Sequence, residues 1–157
     1  MEFECDRCEL RKTCTKPVPG EFINRGKEKT VFFIGEAPGE EEDIQNRPFV
    51  GRSGKLLREV IKDLPYNIYI TNVVKCRPPN NRKPNDNEIN TCKPYLLNEI
   101  NIIKPNQIVF VGRTAESVKD YLNFPNTLFI YHPSYALRKG RTKEWISEVL
   151  AILKEKI

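Results

Sequence analysis

A continuous apolar run at residues 31–34 ends abruptly in the turn Gly35-Glu36-Ala37-Pro38-Gly39, which four acidic residues follow. The run consists of β-branched and aromatic residues, a pattern that predicts a strand buried on both faces. In open α/β sheets, ligands bind just beyond the carboxyl ends of such strands. Glu36 is therefore placed to act on a ligand. In the alternative interpretation, the glycines and the proline only build a turn and the acids are solvated.

Strands and helices alternate along the rest of the chain. Further strands are predicted over residues 66–74, 107–111 and 126–131, and helices over residues 54–62, 87–103, 113–122 and 142–157. The predicted N-caps are Ser53 for the first helix and Asn85 or Asp86 for the second, in which Pro94 predicts a break or kink. Residues 17–29 predict a loop. The alternation predicts an α/β fold, a three-layer α/β/α sandwich around a four-stranded parallel sheet.

The length and composition fit one soluble domain over residues 1–157. A chain of 157 residues can bury a substantial core, and no apolar run in it approaches the length of a membrane span. Since no signal-peptide pattern begins the sequence, we expect a cytoplasmic, prokaryotic protein without a membrane partner, and nothing demands more than a monomer. The net charge of +5 is compatible with a nucleic-acid partner. The twelve prolines and the many Lys, Glu and Ile residues are typical of thermophiles.

Five cysteines, an odd number at irregular spacing, predict a metal site rather than a disulfide-stapled scaffold. Cys5 and Cys8 form a Cys-x-x-Cys pair, whereas fifteen residues separate Cys76 from Cys92. A zinc ribbon needs a second Cys-x-x-Cys pair, which this sequence lacks. A four-thiolate iron–sulfur cluster tolerates irregular spacing, and Cys14 is an alternative to one of its ligands. Buried free thiols are the competing interpretation.

Polar residues occur at or just past the ends of three predicted strands, namely Glu36, Asn72 and His132. Because the carboxyl ends of parallel strands share one rim of a sheet, we expect these side chains to lie close together. The Asn72 amide can accept from one group and donate to its neighbour, as the reading of a base edge requires. Phe49 lies in a predicted loop, where an aromatic ring is placed to stack on a base. His132, the only histidine, precedes Pro-Ser at a strand end, which favours a functional role.

A basic segment follows the histidine. Residues 135–141 interleave apolar side chains with Arg138, Lys139 and Arg141. An apolar wedge flanked by phosphate-binding charges is the arrangement expected for opening a DNA duplex. A solvated basic loop is the competing interpretation.

Together and in this order, these motifs resemble the family 4 uracil-DNA glycosylases, the thermostable iron–sulfur type. The resemblance rests on Gly35-Glu36-Ala37-Pro38-Gly39 with Glu42-Asp43, Arg47-Pro48-Phe49-Val50-Gly51-Arg52, Asn72-Val73-Val74-Lys75-Cys76-Arg77-Pro78-Pro79, and His132-Pro133-Ser134 with Leu137-Arg138. It covers nearly the whole chain. It implies a [4Fe–4S] cluster on an N-terminal segment and a later loop, with Cys5, Cys8, Cys76 and Cys92 as ligands and Cys14 spare.

The resemblance also implies an activity and a set of roles. Such an enzyme flips uracil out of DNA and hydrolyses the N-glycosidic bond, which leaves an abasic site for base excision repair. His132 would stabilise the uracil anion, and Asn72 would bond to N3–H and O4 of uracil. The remaining pocket residues implied are Phe49 against the ring, Gly35, Glu36 and Ala37 at its edge, and Glu42 against the thymine methyl. The implied DNA contacts are Ser134, Leu137, Arg138, Lys139 and Arg141.

One departure from the best-studied uracil-DNA glycosylases concerns water activation. They carry an aspartate where this chain has Ala37, so activation falls on Glu36, on another acid of the run, or on leaving-group stabilisation alone. Two other functions stay open: a sister glycosylase with broader deaminated-base specificity, and a non-catalytic iron–sulfur nucleic-acid-binding module. The expected partner is single- or double-stranded DNA, and the sequence is silent on a sliding-clamp partner.

Overall fold

A five-stranded sheet lies between two layers of helices in the computed structural model, which describes residues 8–157. The strands are β1 (Glu21–Asn24), β2 (Thr30–Gly35), β3 (Asn67–Asn72), β4 (Gln107–Val111) and β5 (Thr127–Ile130). The helices are α1 (Glu40–Gln45), α2 (Arg52–Ile61), α3 (Asp86–Ile103), α4 (Arg113–Glu116), α5 (Lys119–Leu122), α6 (Pro133–Lys139) and α7 (Thr142–Lys156). Short 3₁₀ turns occupy Glu9–Lys12 and Pro79–Asn81.

The sheet has the strand order β1-β3-β2-β4-β5 and is parallel except for β1. This confirms the α/β class and the four parallel strands, and it adds one antiparallel edge strand that was not predicted. The extra strand lies inside residues 17–29, which were predicted to be a loop, and it runs antiparallel to β3 at the edge of the sheet. All four of its residues are half-buried, so β1 carries no alternation of buried and exposed positions. Phe22 fixes it by packing edge-on against Tyr69, with 5.0 Å between ring centroids.

Both faces of the sheet are covered, which explains why the first apolar run has no polar positions. Val31 and Phe33 of β2 face a core formed with α2, α6 and α7. Phe32 and Ile34 face the opposite core, which α3 and the residues around α4 complete. Successive side chains of a strand point to opposite faces, so a strand between two helical layers must be apolar throughout.

One predicted helix start is wrong, one predicted N-cap is confirmed, and one predicted break does not occur. α2 begins at Arg52 after Gly51, so the predicted start at residue 54 with Ser53 as N-cap is wrong. Asn85 caps α3 as predicted, because its side chain accepts from the Glu88 N–H while the Glu88 carboxylate accepts from the Asn85 N–H, both at 2.9 Å. α3 then continues through Pro94, so the predicted break does not occur.

The later elements differ from the prediction at two places. The predicted helix over residues 113–122 consists of the two short helices α4 and α5. The basic segment over residues 135–141, to which no helix was assigned, lies mostly in helix α6; Gly140 follows this helix with a φ of 66°, a conformation that glycine adopts without strain. The terminal helix α7 is confirmed, with Trp145, Val149 and Leu153 buried. Within residues 8–157, no helix is long and apolar enough to cross a membrane.

Candidate active site

A cavity of about 320 Å³ opens at the rim where the parallel strands end. Gly35 and Asn72 are paired at the ends of β2 and β3, so the residues that follow them emerge side by side. The lining residues are Glu36, Ala37, Pro38, Gly39, Glu42, Phe49, Ser53, Gly54, Asn72, Pro78, Asn81, Arg82, His132 and Ser134. The structure thus brings six of the seven predicted pocket residues to one cavity. Gly35, the seventh, does not line the cavity, but it lies against Phe49 and Asn72, which do.

Asn72 is the last residue of β3, and its side chain reaches the cavity beside Phe49. Gly35 allows this approach, since a Cβ atom at that position would lie 2.6 Å from Asn72 Oδ1 and 2.3 Å from Phe49 Cζ. Among the hydrogen bonds of residues 8–157, none engages the Asn72 side-chain amide. Its donor and its acceptor are therefore both available to a ligand that presents an N–H group next to a carbonyl oxygen.

His132 is held in one tautomer by the start of α6. The Ser134 backbone N–H donates to His132 Nδ1 at 3.1 Å, and the Ser134 hydroxyl lies 2.7 Å from the same nitrogen. Burial, helped by the positive charge of Arg138, lowers the pKa of His132 to about 4, although Glu42 acts in the opposite direction. The ring is thus neutral at pH 7 with its proton on Nε2, a donor to developing negative charge.

This environment predicts that His132 titrates near pH 4 rather than near its ordinary value of about 6.5. As the pH falls, the histidine of the unfolded chain is protonated near pH 6.5, before that of the folded protein. His132 therefore lowers the free energy of unfolding between pH 6.5 and pH 4, and it has no such effect above pH 6.5. As the chain has one histidine, its imidazole NMR signals need no assignment. A midpoint between pH 6 and 7 in the folded protein contradicts this account.

Glu36 is oriented by a threonine that sequence analysis did not select. Thr114, a buried residue of α4, donates its hydroxyl hydrogen to Glu36 Oε1 at 2.6 Å. Thr114 follows the end of β4, so the rule that identified Glu36, Asn72 and His132 applies to it as well. The hydrogen bond fixes the Glu36 carboxylate at the cavity edge.

Glu42 joins two loops of the cavity wall through their backbone. Its Oε1 accepts from the Gly39 N–H at 2.9 Å, and its Oε2 accepts from the N–H groups of Val50 and Gly51 at 2.8 and 2.5 Å. Both carboxylate oxygens are therefore committed. Between these contacts Phe49 adopts a φ of 55°, which costs a residue other than glycine roughly 1–3 kcal/mol. Glu42 holds this loop, and its predicted contact with a thymine methyl stays a prediction.

Four cysteines of the described region converge near the start of the chain and α3. Burial raises the pKa of Cys76, and the nearby thiols of Cys14, Cys92 and Cys8 raise it further. No three His, Cys, Asp or Glu side chains within residues 8–157 are arranged around a single metal ion. An iron–sulfur cluster takes its ligands at separate irons, so its thiols do not have to surround one point. Cys5 lies outside the described residues.

A buried ion pair that the sequence analysis missed connects this thiol group to the cavity. Lys75 and Glu99 side chains, 1% and 5% exposed, form a salt bridge. Lys75 Nζ also donates to the Asn72 carbonyl oxygen at 2.7 Å, and the Lys75 N–H donates to Cys92 Sγ at 3.3 Å. The Tyr69 hydroxyl donates to Glu99 at 2.7 Å. Burial and the Glu99 charge raise the pKa of Tyr69, so its hydroxyl stays protonated. The sequence feature that could have indicated this ion pair is a lysine directly after the apolar residues Val73-Val74.

Comparison with known proteins identifies the family. The profile of the Uracil DNA glycosylase superfamily matches residues 23–154, so the chain belongs to that superfamily. A type-4 uracil-DNA glycosylase of Pyrobaculum aerophilum is 49% identical, over 94% of this chain and 87% of the relative. Within the superfamily, the chain belongs to the type-4 family, as the sequence motifs predicted.

Two other type-4 relatives match over a shorter stretch. The protein of Sulfurisphaera tokodaii is 50% identical over 71% of this chain and 51% of the relative. That of Archaeoglobus fulgidus is 48% identical over 72% of this chain and 57% of the relative. The chain thus spans about half the length of these two relatives.

Proposed function

We propose that this chain is a uracil-DNA glycosylase that flips uracil out of DNA and hydrolyses its bond to deoxyribose. One observation carries the proposal: the free amide of Asn72, the neutral ring of His132 and the ring of Phe49 border the same cavity. The C1′–N1 bond breaks with its electron pair going to uracil, water adds to C1′, and the proton that this water gives up neutralises the uracil anion. The products are free uracil and an abasic site.

The proposed role of His132 is to stabilise the leaving group. When the glycosidic bond breaks, negative charge develops on the uracil oxygens. A donor that already points at that charge lowers the barrier without reorganising at the moment of reaction. The Nε2–H of a neutral imidazole supplies such a donor, because Ser134 occupies the other ring nitrogen.

The proposed group that positions the attacking water is Glu36. Two acids line the cavity, and both oxygens of Glu42 already accept backbone N–H groups. The neighbouring acid Asp43 accepts from Thr15 through both of its oxygens. Glu36 has a hydrogen bond from Thr114 at one oxygen, which leaves the other to accept from water.

The proposed basis of selectivity is Asn72. Its oxygen accepts from uracil N3–H and its amino group donates to O4, whereas cytosine presents an acceptor and a donor in the opposite order. Replacing Asn72 by alanine is expected to slow uracil excision about 10- to 100-fold, since the flipped base loses two hydrogen bonds in a partly desolvated site. Single-turnover rates on matched uracil, cytosine and thymine oligonucleotides measure this. Asn98→Ala on the exposed face of α3 is the control, and an Asn72→Ala variant as fast as that control contradicts the assignment.

The same experiment separates the competing functions. Excision of hypoxanthine or xanthine at rates similar to that of uracil favours a sister glycosylase with broader specificity. No release of any base, by protein that carries its cluster and binds DNA, favours a non-catalytic nucleic-acid-binding module.

We also propose that Cys5, Cys8, Cys76 and Cys92 hold a [4Fe–4S] cluster. The thiols grouped around Cys76 support this, and the bound cluster would tie the N-terminal segment to the loop before α3. Cys76→Ala is expected to lose the brown cluster absorbance and DNA affinity together, whereas Cys14→Ala retains both. Absorbance spectra and fluorescence anisotropy with labelled DNA test this. DNA binding that survives loss of the cluster contradicts a role for it in shaping the binding surface.

DNA is the proposed partner of the surface formed by α6 and the two residues after it. Arg138, Lys139 and Arg141 are exposed there, next to the cavity residue Ser134. Side chains of this charge neutralise phosphates and make binding dependent on salt. Leu137 is half-buried in α6, from which it would have to turn to enter a duplex.

A further inference from the structure

The loop that carries Phe49 is held from two opposite sides. Glu42 accepts the N–H groups of Val50 and Gly51 on one side. On the other side, Arg58 of α2 donates from Nε to the Phe49 carbonyl oxygen at 2.7 Å and from Nη2 to the Pro48 carbonyl oxygen at 2.5 Å. Backbone polar groups of the four consecutive residues 48–51 are thus hydrogen-bonded to two charged side chains, Glu42 and Arg58, neither of which belongs to the loop.

Arg58 is in turn fixed by an acid on the edge strand. Its Nη1 donates to Glu21 Oε2 at 3.0 Å, and the two side chains are 19% and 25% exposed. Glu21 also accepts from Arg47 Nε and Nη2 at 3.0 and 2.9 Å. Burial alone would raise the pKa of Glu21, but Arg47 and Arg58 outweigh it and lower the pKa, so this carboxylate is charged at pH 7. Because residues 17–29 were predicted to be a loop, the sequence did not indicate that Glu21 holds Arg58.

Close contacts leave the Phe49 residue little room. A Cβ atom on Gly35 would lie 2.3 Å from the Phe49 ring, and one on Gly54 would lie 2.3 Å from the Phe49 carbonyl carbon. The backbone there has a positive φ that a phenylalanine does not favour. The ring orientation in the cavity therefore depends on contacts that hold this backbone, and Arg58 supplies those to its carbonyl groups.

We propose that Arg58, fixed by Glu21, is a positioning residue that sets the plane of the Phe49 ring for stacking on the flipped base. The inference rests on the proposed function. Arginine suits this task because its planar fork donates to two carbonyl oxygens and one carboxylate at once, whereas a lysine offers a single charged nitrogen. Arg58 touches no substrate in this account and acts only through the loop.

A double-mutant cycle tests the proposal. Arg58→Met is expected to weaken inhibition by free uracil about tenfold and to raise KM for a uracil oligonucleotide by a similar factor, while affinity for thymine DNA is unchanged. Arg58→Lys, which keeps the charge near Glu21, is expected to lose less and guards against a folding defect. In a Phe49→Ala background, Arg58→Met should add almost nothing, because the ring it positions is gone. Lys62→Met, one turn later and directly after α2, at an exposed pair with Glu59, is the matched control.

Each outcome of the cycle decides the proposal. Non-additive losses with an unchanged Lys62→Met control support a positioning role. Additive losses, or a lowered melting temperature with unchanged inhibition by uracil, mean that Arg58 has only a structural role. Either result overturns the inference but leaves the proposed function intact. A wild-type protein that neither excises nor binds uracil contradicts the proposed function, and the inference fails with it.

Discussion

Replacing His132 by alanine is expected to slow uracil excision by about 10²–10³-fold, the usual cost of removing one preorganised donor to a developing anion. The structure explains why the loss should fall on the chemical step. The imidazole is neutral, its Nδ1 accepts from the Ser134 N–H, and its Nε2–H is the donor at the cavity. Single-turnover excision at saturating enzyme isolates this step from binding and product release.

Two controls accompany the His132→Ala measurement. Binding to DNA should change little, because the basic side chains of α6 remain, and fluorescence anisotropy measures this. Ser134→Ala removes the hydroxyl next to Nδ1 but leaves the backbone N–H in place, so it should cost much less. A His132→Ala enzyme within about fivefold of the wild type contradicts leaving-group stabilisation by the histidine.

Breaking the buried pair of Lys75 and Glu99 is expected to cost about 3–5 kcal/mol of unfolding free energy, because one charge remains buried without its partner. Glu99→Leu strands the Lys75 ammonium, and Lys75→Met strands the Glu99 carboxylate next to the Tyr69 hydroxyl. The double variant Lys75→Met with Glu99→Leu should recover much of the loss, since apolar side chains can replace both charges. Denaturant unfolding measures all three.

The control for this pair is the exposed ion pair of Arg113 and Glu116, whose side chains are 66% and 32% exposed. Arg113→Met should cost less than about 1 kcal/mol. Equal effects at the two pairs contradict the account of Lys75 and Glu99. Because Lys75 also holds the carbonyl group of Asn72, the single variants should raise KM for uracil DNA beyond the effect of lost stability.

The rim of the sheet was predictable because two local signals agree there. Apolar runs such as residues 31–34 identify buried strands, and the parallel arrangement then brings Glu36, Asn72 and His132 to one edge. The edge strand β1 was not predictable, because its residues show no alternation of buried and exposed positions and it pairs with β3, which is distant in the sequence. Helix α6 was missed because its basic residues, Arg138 and Lys139, resemble those of a solvated loop.

The supports of the candidate site lie beyond sequence patterns for a different reason. Thr114 is 78 residues from Glu36, and Glu21 is 37 residues from Arg58. Nothing local in the sequence couples these pairs, and only folding brings them together. Lys75 is an exception, because a lysine next to the apolar residues Val73-Val74 already indicates that it is buried and needs an acidic partner.

Uracil excision by the wild-type protein is measured most simply as strand cleavage by alkali, after the protein has acted on an oligonucleotide with one uracil. We expect cleavage at the uracil position and release of free uracil, and neither of these with thymine at the same position. Cleavage of both oligonucleotides, or of neither by folded protein that carries its cluster, contradicts the proposal that this cavity is a uracil site.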